Sequence, residues 1–322
     1  MSIRLRDCIC ALETDIDEGD RFDAREMDAS VNRSVDAVTD SLQQPSTALS
    51  PVVRQHLTQI FLMMRHGHRA IRELLRSDGK DSMAVSAMPL ARVQVETLFA
   101  VCLIVERQDS LWSYLKDGWR KNYVRHLLMR EEWGRLPRIA EAMQKMEADL
   151  DAMRLAAGVT DAERITVDFE ELGKPLPVGM KLQHIKAFPT PERVIAQIEQ
   201  PSRKKMLRRF YPEYRFLCGF VHFSPAASIL SALFDQRQRY QTYFSASQLE
   251  EIFQKEIAGP ALWLDQISVL QGCSEIYGIY PHDIELARAV SEGWTLMSKA
   301  CLVGQAVWKI RASELLGAVR TI

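Results

Sequence analysis

Several residue patterns that define common enzyme classes are absent from this 322-residue chain. It has no glycine-rich phosphate-binding loop of the Walker type, no Gly-x-Gly-x-x-Gly after a predicted strand and no Gly-x-Ser-x-Gly nucleophile turn. A helical di-iron site needs a Glu-x-x-His sequence on each of two helices, and the chain has none. These absences argue against nucleotide-dependent, α/β-hydrolase and di-iron chemistry of those kinds.

Metal-binding and disulfide patterns are also missing. The six cysteines form no Cys-x-x-Cys pair, and Cys8 and Cys10 are too close together to form half of a zinc site. His66 and His68 are two residues apart, so on a helix their side chains point about 200° apart and do not share a metal ion. We therefore expect no metal, no other cofactor and reduced, mostly buried thiols.

The chain has little that would direct it to a membrane. Its first residues include Arg4, Arg6 and Asp7 without a signal-peptide core, and no uncharged run reaches the roughly 18 residues of a membrane span. We expect a soluble, cytoplasmic protein. Its formal net charge is −1, so a nucleic-acid site has to be a local surface rather than a property of the whole chain.

Apolar residues recur at helical spacing over most of the chain, which predicts an all-α, multi-helix bundle with long antiparallel helices. Ser50 and Pro51 suit an N-cap and a first helical position. Helices are expected at 51–75, 82–107, 111–133, 137–157, 192–210, 246–271 and 282–318, with a further one through Arg215 and His222. The helix over 82–107 is apolar around most of its circumference, so we expect it to be central.

Three segments are predicted along the chain. Residues 1–50 form an N-terminal helical extension and linker, residues 51–240 form the helical core, and residues 241–322 are helices packed on that core. The core contains a long, proline-rich loop at 158–191, with a short strand at Ile165, Val167 and Phe169. A connection of this length is often a functional flap or a partner-binding loop.

Arg215 and His222 are the principal candidate site residues. Seven positions apart on a helix, their side chains are offset by only about 20° around the axis and separated by about 10 Å along it, which leaves room for a phosphate. Pro212 is expected in the first turn of this helix, where the helix dipole favours anions. Ser224 and Pro225 predict a kink or a restart just after His222.

A basic segment precedes this pair. Its cations recur at i, i+3 and i+4 spacings, which predicts a single basic helical face that binds RNA: Arg203, Lys204, Lys205, Arg208 and Arg209. The competing interpretation is a solvated basic helix followed by a histidine that is buried for packing. Arg92 and Glu96 are charges in an otherwise apolar helix, and such charges are rarely buried without partners. Either they form a structural pair, or Glu96 orients Arg215 or His222 on a facing helix.

The spacing Arg-x6-His from Arg215 to His222 resembles the long end of the Arg-x4–6-His pattern of HEPN domains, an all-helical superfamily of nucleotide-binding proteins and ribonucleases. The segment Ala87 to Glu106 and the later Tyr214-x7-His222 are similar to a family of uncharacterised bacterial helical proteins with HEPN-type bundles. The resemblance covers roughly residues 55–235.

This resemblance implies an RNA-cleaving or RNA-binding bacterial effector in a toxin or phage-defence setting. His222 would act as general base or acid on a ribose 2′-OH and Arg215 would stabilise charge on the phosphate, with no metal. Such sites commonly combine two protomers, so we expect a homodimer, and a regulatory protein partner fits the setting. In many active members the residue just after the arginine is polar, whereas Phe216–Val221 is apolar apart from Cys218 and Gly219. The resemblance therefore also includes HEPN domains with a vestigial pair, which only bind or only dimerise. The alternative class is a non-catalytic helical scaffold for protein interaction.

Overall fold

The computed structural model describes residues 24–76, 85–133, 136–164, 166–167, 181–182, 185–222, 245, 247–248, 251 and 254–317. Its α-helices are α1 (Ala24–Gln43), α2 (Pro51–Arg76), α3 (Ala87–Glu106), α4 (Ser110–Trp133), α5 (Pro137–Ala156), α6 (Pro191–Gln197), α7 (Pro201–Val221), α8 (Gly259–Tyr277), α9 (Ile284–Ala300), α10 (Leu302–Val307) and α11 (Ser313–Gly317). Short helical turns of other kinds lie at Ala162–Arg164, Gln254–Ala258 and Trp308–Ala312. The predicted all-α class is confirmed.

A two-residue antiparallel ribbon accompanies the helices, with β1 at Thr166–Val167 and β2 at Lys181–Leu182. Val167 therefore lies in a strand as predicted. Ile165 and Phe169, the other residues of that predicted strand, lie outside the described residues.

The described residues divide into two compact units, one up to Glu106 and from Pro191 onward, the other at Arg107–Thr190. This division differs from the predicted boundaries at residues 50 and 240. Helix α1, expected within a peripheral extension, packs on α9, α2 and α8 and buries the apolar side chains of Met27, Val31, Val35, Val38 and Leu42. The first unit therefore needs the segments before residue 51 and after residue 240 for its core.

Helices α3 and α8 form the centre of the first unit. The prediction that α3 is central is confirmed, since it packs against α8, α7 and α2. Every residue of α8 from Leu264 to Tyr277 is buried. Gly293 permits the close approach of α9, because a Cβ atom there would lie 2.5 Å from the Leu270 Cδ2 atom. Helix α3 is also long and apolar enough to cross a membrane. However, 61% of its most apolar 18-residue stretch is buried inside the fold, as in the core helix of a globular unit.

Local signals explain several helix ends. The Ser50 hydroxyl accepts a hydrogen bond from the Val53 N–H at 3.4 Å, so it caps α2 as predicted. Asp283 caps α9 by accepting from the Leu286 N–H at 3.0 Å, and it also accepts from the Ser41 hydroxyl of α1 at 2.7 Å. The single helix predicted over 282–318 is wrong, because Cys301 adopts an extended conformation with φ −155° and ψ 130°.

The second unit is built on α4 and α5 with the ribbon. Its apolar cluster contains Trp119, Leu150, Ala157, Val159 and Ile185. The Trp119 indole N–H donates to the Leu150 carbonyl at 2.9 Å. Gly158, with a φ of +64°, ends the turn after α5 in a conformation that favours glycine. The predicted long loop therefore contributes ordered residues to this unit at both of its ends.

Candidate functional site

Arg215 and His222 lie near the end of α7, which is longer than predicted. The helix runs without interruption from Pro201 to Val221, so Pro212 lies inside it and not in its first turn. The prediction that a helix N-terminus supports an anion beside Arg215 is therefore wrong. Pro212 is tolerated because it lies on the exposed side of α7, where the lost backbone hydrogen bond faces water.

Both candidate side chains are exposed, which rules out the interpretation of a histidine buried for packing. His222 is the C-cap of α7, and its backbone N–H donates to the Cys218 carbonyl at 3.2 Å. The α-helix ends at Val221, and the kink or restart predicted from Ser224 and Pro225 falls on residues outside the described part of the chain. The accessibility that a substrate-binding pair needs is present.

A stripe of polar side chains runs along one side of α7. Lys204, Arg208, Tyr211, Arg215 and His222 follow one another at spacings of four, three, four and seven residues, which keeps them within about 40° of Arg215 around the axis. All five are exposed or half-exposed. The stripe is about 27 Å long and carries three permanent cations. We call these five residues the α7 stripe.

The five residues predicted as one basic face do not share a face. Lys205 and Arg209 are exposed, but they lie about 80° and 120° from Arg215 around α7. Arg203 is buried, at 7% exposure. The prediction that Arg203 belongs to an RNA-binding surface is wrong, because its guanidinium lies inside the protein, where Nε and both terminal nitrogens donate to carboxylates.

Arg203 belongs to a buried ion cluster centred on Glu275 of α8. Arg203 donates to the Glu275 Oε2 atom through Nε at 3.0 Å and a terminal nitrogen at 2.6 Å, and to Glu106 at 2.6 Å. Arg311 donates to both Glu275 oxygens at 2.9 Å, and Gln271 donates to Oε1 at 2.9 Å. Although burial alone raises the pKa of the Glu275 carboxyl, Arg311 and Arg203 hold that pKa below its ordinary value. This cluster ties four segments together and is structural.

A second polar cluster joins α3 and α7 beside the α7 stripe. The Arg92 Nε–H donates to the Cys218 Sγ atom at 3.3 Å, and a terminal nitrogen of Arg92 donates to Glu96 at 2.7 Å and to the Tyr214 hydroxyl oxygen at 3.0 Å. The Tyr214 hydroxyl in turn donates to the same Glu96 oxygen at 2.9 Å. Burial raises the pKa of Tyr214, and Glu96 adds to the rise, so the hydroxyl keeps its proton.

The contacts between α3 and α7 occur in opposite order along the two helices. Arg92 meets Cys218, and Phe99 packs near Tyr214 with ring centroids 6.3 Å apart. Glu106 then meets Arg203, so this helix pair is antiparallel. The arrangement brings the Arg92 end of α3 to the end of α7 that carries Arg215 and His222.

Glu96 pairs with Arg92, as the structural interpretation of these two charges predicted. It makes no hydrogen bond or ion pair with Arg215 or His222 among the described contacts. The direct orienting role predicted for Glu96 therefore has no contact to support it. The sequence analysis named Tyr214 in the Tyr214-x7-His222 pattern but did not predict its contact with Glu96. The available signal was the spacing: Tyr214 and Cys218 are four residues apart on α7, as Arg92 and Glu96 are on α3.

One further group with a shifted pKa lies on α7 outside this site. Burial raises the pKa of Glu213 to about 7. Its position is about 160° from Arg215 around the helix axis, so it faces away from the α7 stripe and takes no part in it.

A third polar cluster, inside the first unit, was not predicted. His68 lies between two carboxylates, with Nδ1 at 2.5 Å from Asp265 and Nε2 at 3.4 Å from Asp28. Although burial disfavours the charged imidazolium, Asp265 and Asp28 raise the pKa of His68 to about 9. The available signal was a carboxylate at position 265 in a nearly uncharged helix, which requires a buried partner.

Among the described residues, no group of three or more His, Cys, Asp or Glu side chains is arranged to hold a metal ion. Comparison of the chain with models of known protein families, with curated proteins and with solved structures finds no match. A functional assignment therefore depends on the geometry of α3 and α7.

Proposed function

We propose that this protein is a cytoplasmic, HEPN-like effector that binds RNA along α7 and cleaves it without a metal ion, using Arg215 and His222. The observation that carries the proposal is the α7 stripe: three permanent cations, a tyrosine and a histidine, all reachable from solvent on one side of one helix. A phosphodiester backbone needs cations in a row, and a tyrosine among them offers a base a surface for stacking. Catalysis requires a base and a cation at one phosphate, and the stripe ends in that pair.

In the proposed reaction His222 accepts the proton of a ribose 2′-hydroxyl, and the 2′-oxygen attacks the adjacent phosphorus. Arg215 donates hydrogen bonds to the non-bridging oxygens, where negative charge accumulates in the transition state. The bond from phosphorus to the 5′-oxygen breaks, and that oxygen takes a proton from a protonated His222 of a second copy. The products are a 2′,3′-cyclic phosphate and a 5′-hydroxyl.

This scheme uses two copies of the chain, one histidine acting as base and the other as acid. Val93 of α3 and Phe216 of α7 are exposed apolar side chains, at 52% and 39%. A pairing of copies at this end of the two helices would bury them. We therefore retain a homodimer in the proposal.

A paired substitution on α7 tests the RNA-binding part. Lys204→Ala with Arg208→Ala removes two cations from the α7 stripe, while Lys205→Ala with Arg209→Ala removes two exposed cations from neighbouring faces of the same helix. Binding of a fluorescein-labelled single-stranded RNA is measured by anisotropy over a range of salt concentrations. If each stripe cation contacts one phosphate, the first variant lowers the slope of log affinity against log salt by about 1.4.

The Lys205 and Arg209 variant is the matched control, because it changes the net charge equally. A smaller loss in the control than in the stripe variant supports the proposal. Equal losses in both indicate attraction to net charge alone. If wild-type protein binds no RNA, the proposal is wrong and the helical scaffold becomes the better account.

A further inference from the structure

The guanidinium of Arg92 has one terminal nitrogen that makes no hydrogen bond with the described residues. An arginine offers five N–H donors in a planar fork. Three of them are engaged here: the Nε–H with Cys218, and the two hydrogens of one terminal nitrogen with Glu96 and Tyr214. The other terminal nitrogen, Nη1, keeps two donors that make no hydrogen bond with the described residues.

These two free donors are accessible. The Arg92 side chain is 19% exposed, and Nη1 is not among the buried polar atoms that lack a partner, so it reaches the surface. Val93, the next residue of α3, is one of the most exposed apolar side chains. This end of α3 therefore borders solvent.

The contrast with the two buried arginines is informative. Arg203 and Arg311 each donate through the Nε atom and both terminal nitrogens to side chains of the protein, as guanidiniums with a purely structural role do. Arg92 is held from one edge while its other edge faces outward. Such an arrangement fixes the direction of the free N–H groups before any ligand arrives, which lowers the cost of ordering them.

Arg92 also lies at the proposed site. It contacts Cys218, which is three residues after Arg215 and four before His222, and within about 60° of both around α7. The free edge of the guanidinium is thus beside the end of the α7 stripe. The two N–H bonds of Nη1 lie in the guanidinium plane but diverge by about 120°, so Nη1 offers a phosphate oxygen one charge-assisted hydrogen bond rather than the paired bonds of a two-nitrogen fork.

We propose that Arg92 Nη1 binds a phosphate of the RNA next to the one held by Arg215, and that Glu96 and Tyr214 are positioning residues that aim this guanidinium. The inference rests on the proposed function, since it assigns the same substrate a second contact. The Glu96 side chain is 34% exposed, so water screens its charge and Arg92 still attracts an anion on its other edge.

Two variants separate charge from orientation. Arg92→Gln removes the cation, and Tyr214→Phe removes only the hydroxyl that helps to hold it. The probe is the labelled single-stranded RNA of the binding assay in EDTA, at several salt concentrations. Arg92→Gln is expected to weaken binding about tenfold and to lower the salt slope by about 0.7, whereas Tyr214→Phe weakens binding a few-fold at unchanged slope because the charge remains.

Arg288→Gln is the control, since Arg288 is 61% exposed and its ion pair among the described residues is with its neighbour Glu285. If Arg92→Gln binds like wild type while Lys204→Ala with Arg208→Ala loses affinity, this inference is wrong and the proposed function stands. If neither Arg92→Gln nor the Lys204→Ala with Arg208→Ala variant loses affinity, both this inference and the proposed function are wrong. If Arg92→Gln does not fold, the Tyr214→Phe variant tests the inference instead. An RNA affinity of Tyr214→Phe equal to that of wild type would show that Tyr214 does not position Arg92 for RNA.

Discussion

Replacing Glu275 with glutamine should be among the most destabilising single changes in the first unit. The Glu275 side chain is fully buried, and it is the carboxylate shared by Arg203 and Arg311. The substitution preserves the shape and one acceptor oxygen. It also removes the negative charge and directs an NH₂ group at guanidinium donors.

The magnitude follows from what the two arginines retain. Arg203 keeps Glu106, whose side chain is 14% exposed, so its charge remains partly paired inside the protein. Arg311 is 2% exposed and keeps the Ser202 hydroxyl at 3.0 Å, while the carboxylate left to it among the described residues is Glu314, at 3.4 Å and 54% exposed. Leaving a buried charge without its partner costs about 3–5 kcal/mol, against a total stability of about 5–15 kcal/mol.

Urea unfolding followed by circular dichroism measures this cost. With an m value of about 3 kcal/mol/M, the transition midpoint should fall by about 1–1.7 M. The control is Glu285→Gln, which removes an exposed carboxylate paired with Arg288 and should change stability by less than about 0.5 kcal/mol. A loss below about 1 kcal/mol in Glu275→Gln would show that the cluster does not hold the fold together.

Two further predictions concern pH and assembly. His68 has a pKa of about 9 in the folded protein against 6.5 in the unfolded chain, so the folded state binds more protons between these two pH values. The free energy of unfolding should therefore fall by on the order of 3 kcal/mol as the pH rises from 6.5 to 9. Urea midpoints across that range should fall in wild type and much less in His68→Gln, and a flat wild-type profile would refute the assignment. Light scattering at micromolar concentration should give twice the 36.8-kDa mass of the chain, whereas a strict monomer would remove the two-copy mechanism.

Much of the helical organisation is predictable from sequence because it depends on local periodicity. The apolar spacing after Ser50 predicts α2, and the nearly uncharged stretch over Ala87–Glu106 predicts a central helix. Cys301 shows the limit of this reasoning. Its surroundings keep an apolar periodicity that a straight helix would also show, so the local spacing does not reveal the extended backbone found there.

The candidate site is only partly predictable, because long-range partners decide which charges are free. Arg203 has the same local surroundings as Lys204 and Lys205, and only Glu106 and Glu275, far away in sequence, draw it inside. The prediction that Pro212 begins a helix is wrong for a similar reason. Proline is also tolerated on the exposed side of a helix that tertiary contacts hold in place. The shared face of Arg215 and His222 was expected because seven residues return to the same side of a helix. Their exposure was expected because a catalytic pair must reach its substrate.

The most direct test of the central claim is RNA cleavage by wild-type protein and by His222→Ala, both purified in EDTA. The account predicts that wild type cleaves a single-stranded RNA to products with 2′,3′-cyclic phosphate ends. His222→Ala, folded and still binding RNA, should lose a factor of about 10²–10⁴ in rate. Arg215→Lys should also cleave slowly, because lysine lacks the planar fork that grips a phosphate. Cleavage by His222→Ala within a few-fold of wild type, or no cleavage by wild type at all, would contradict the account.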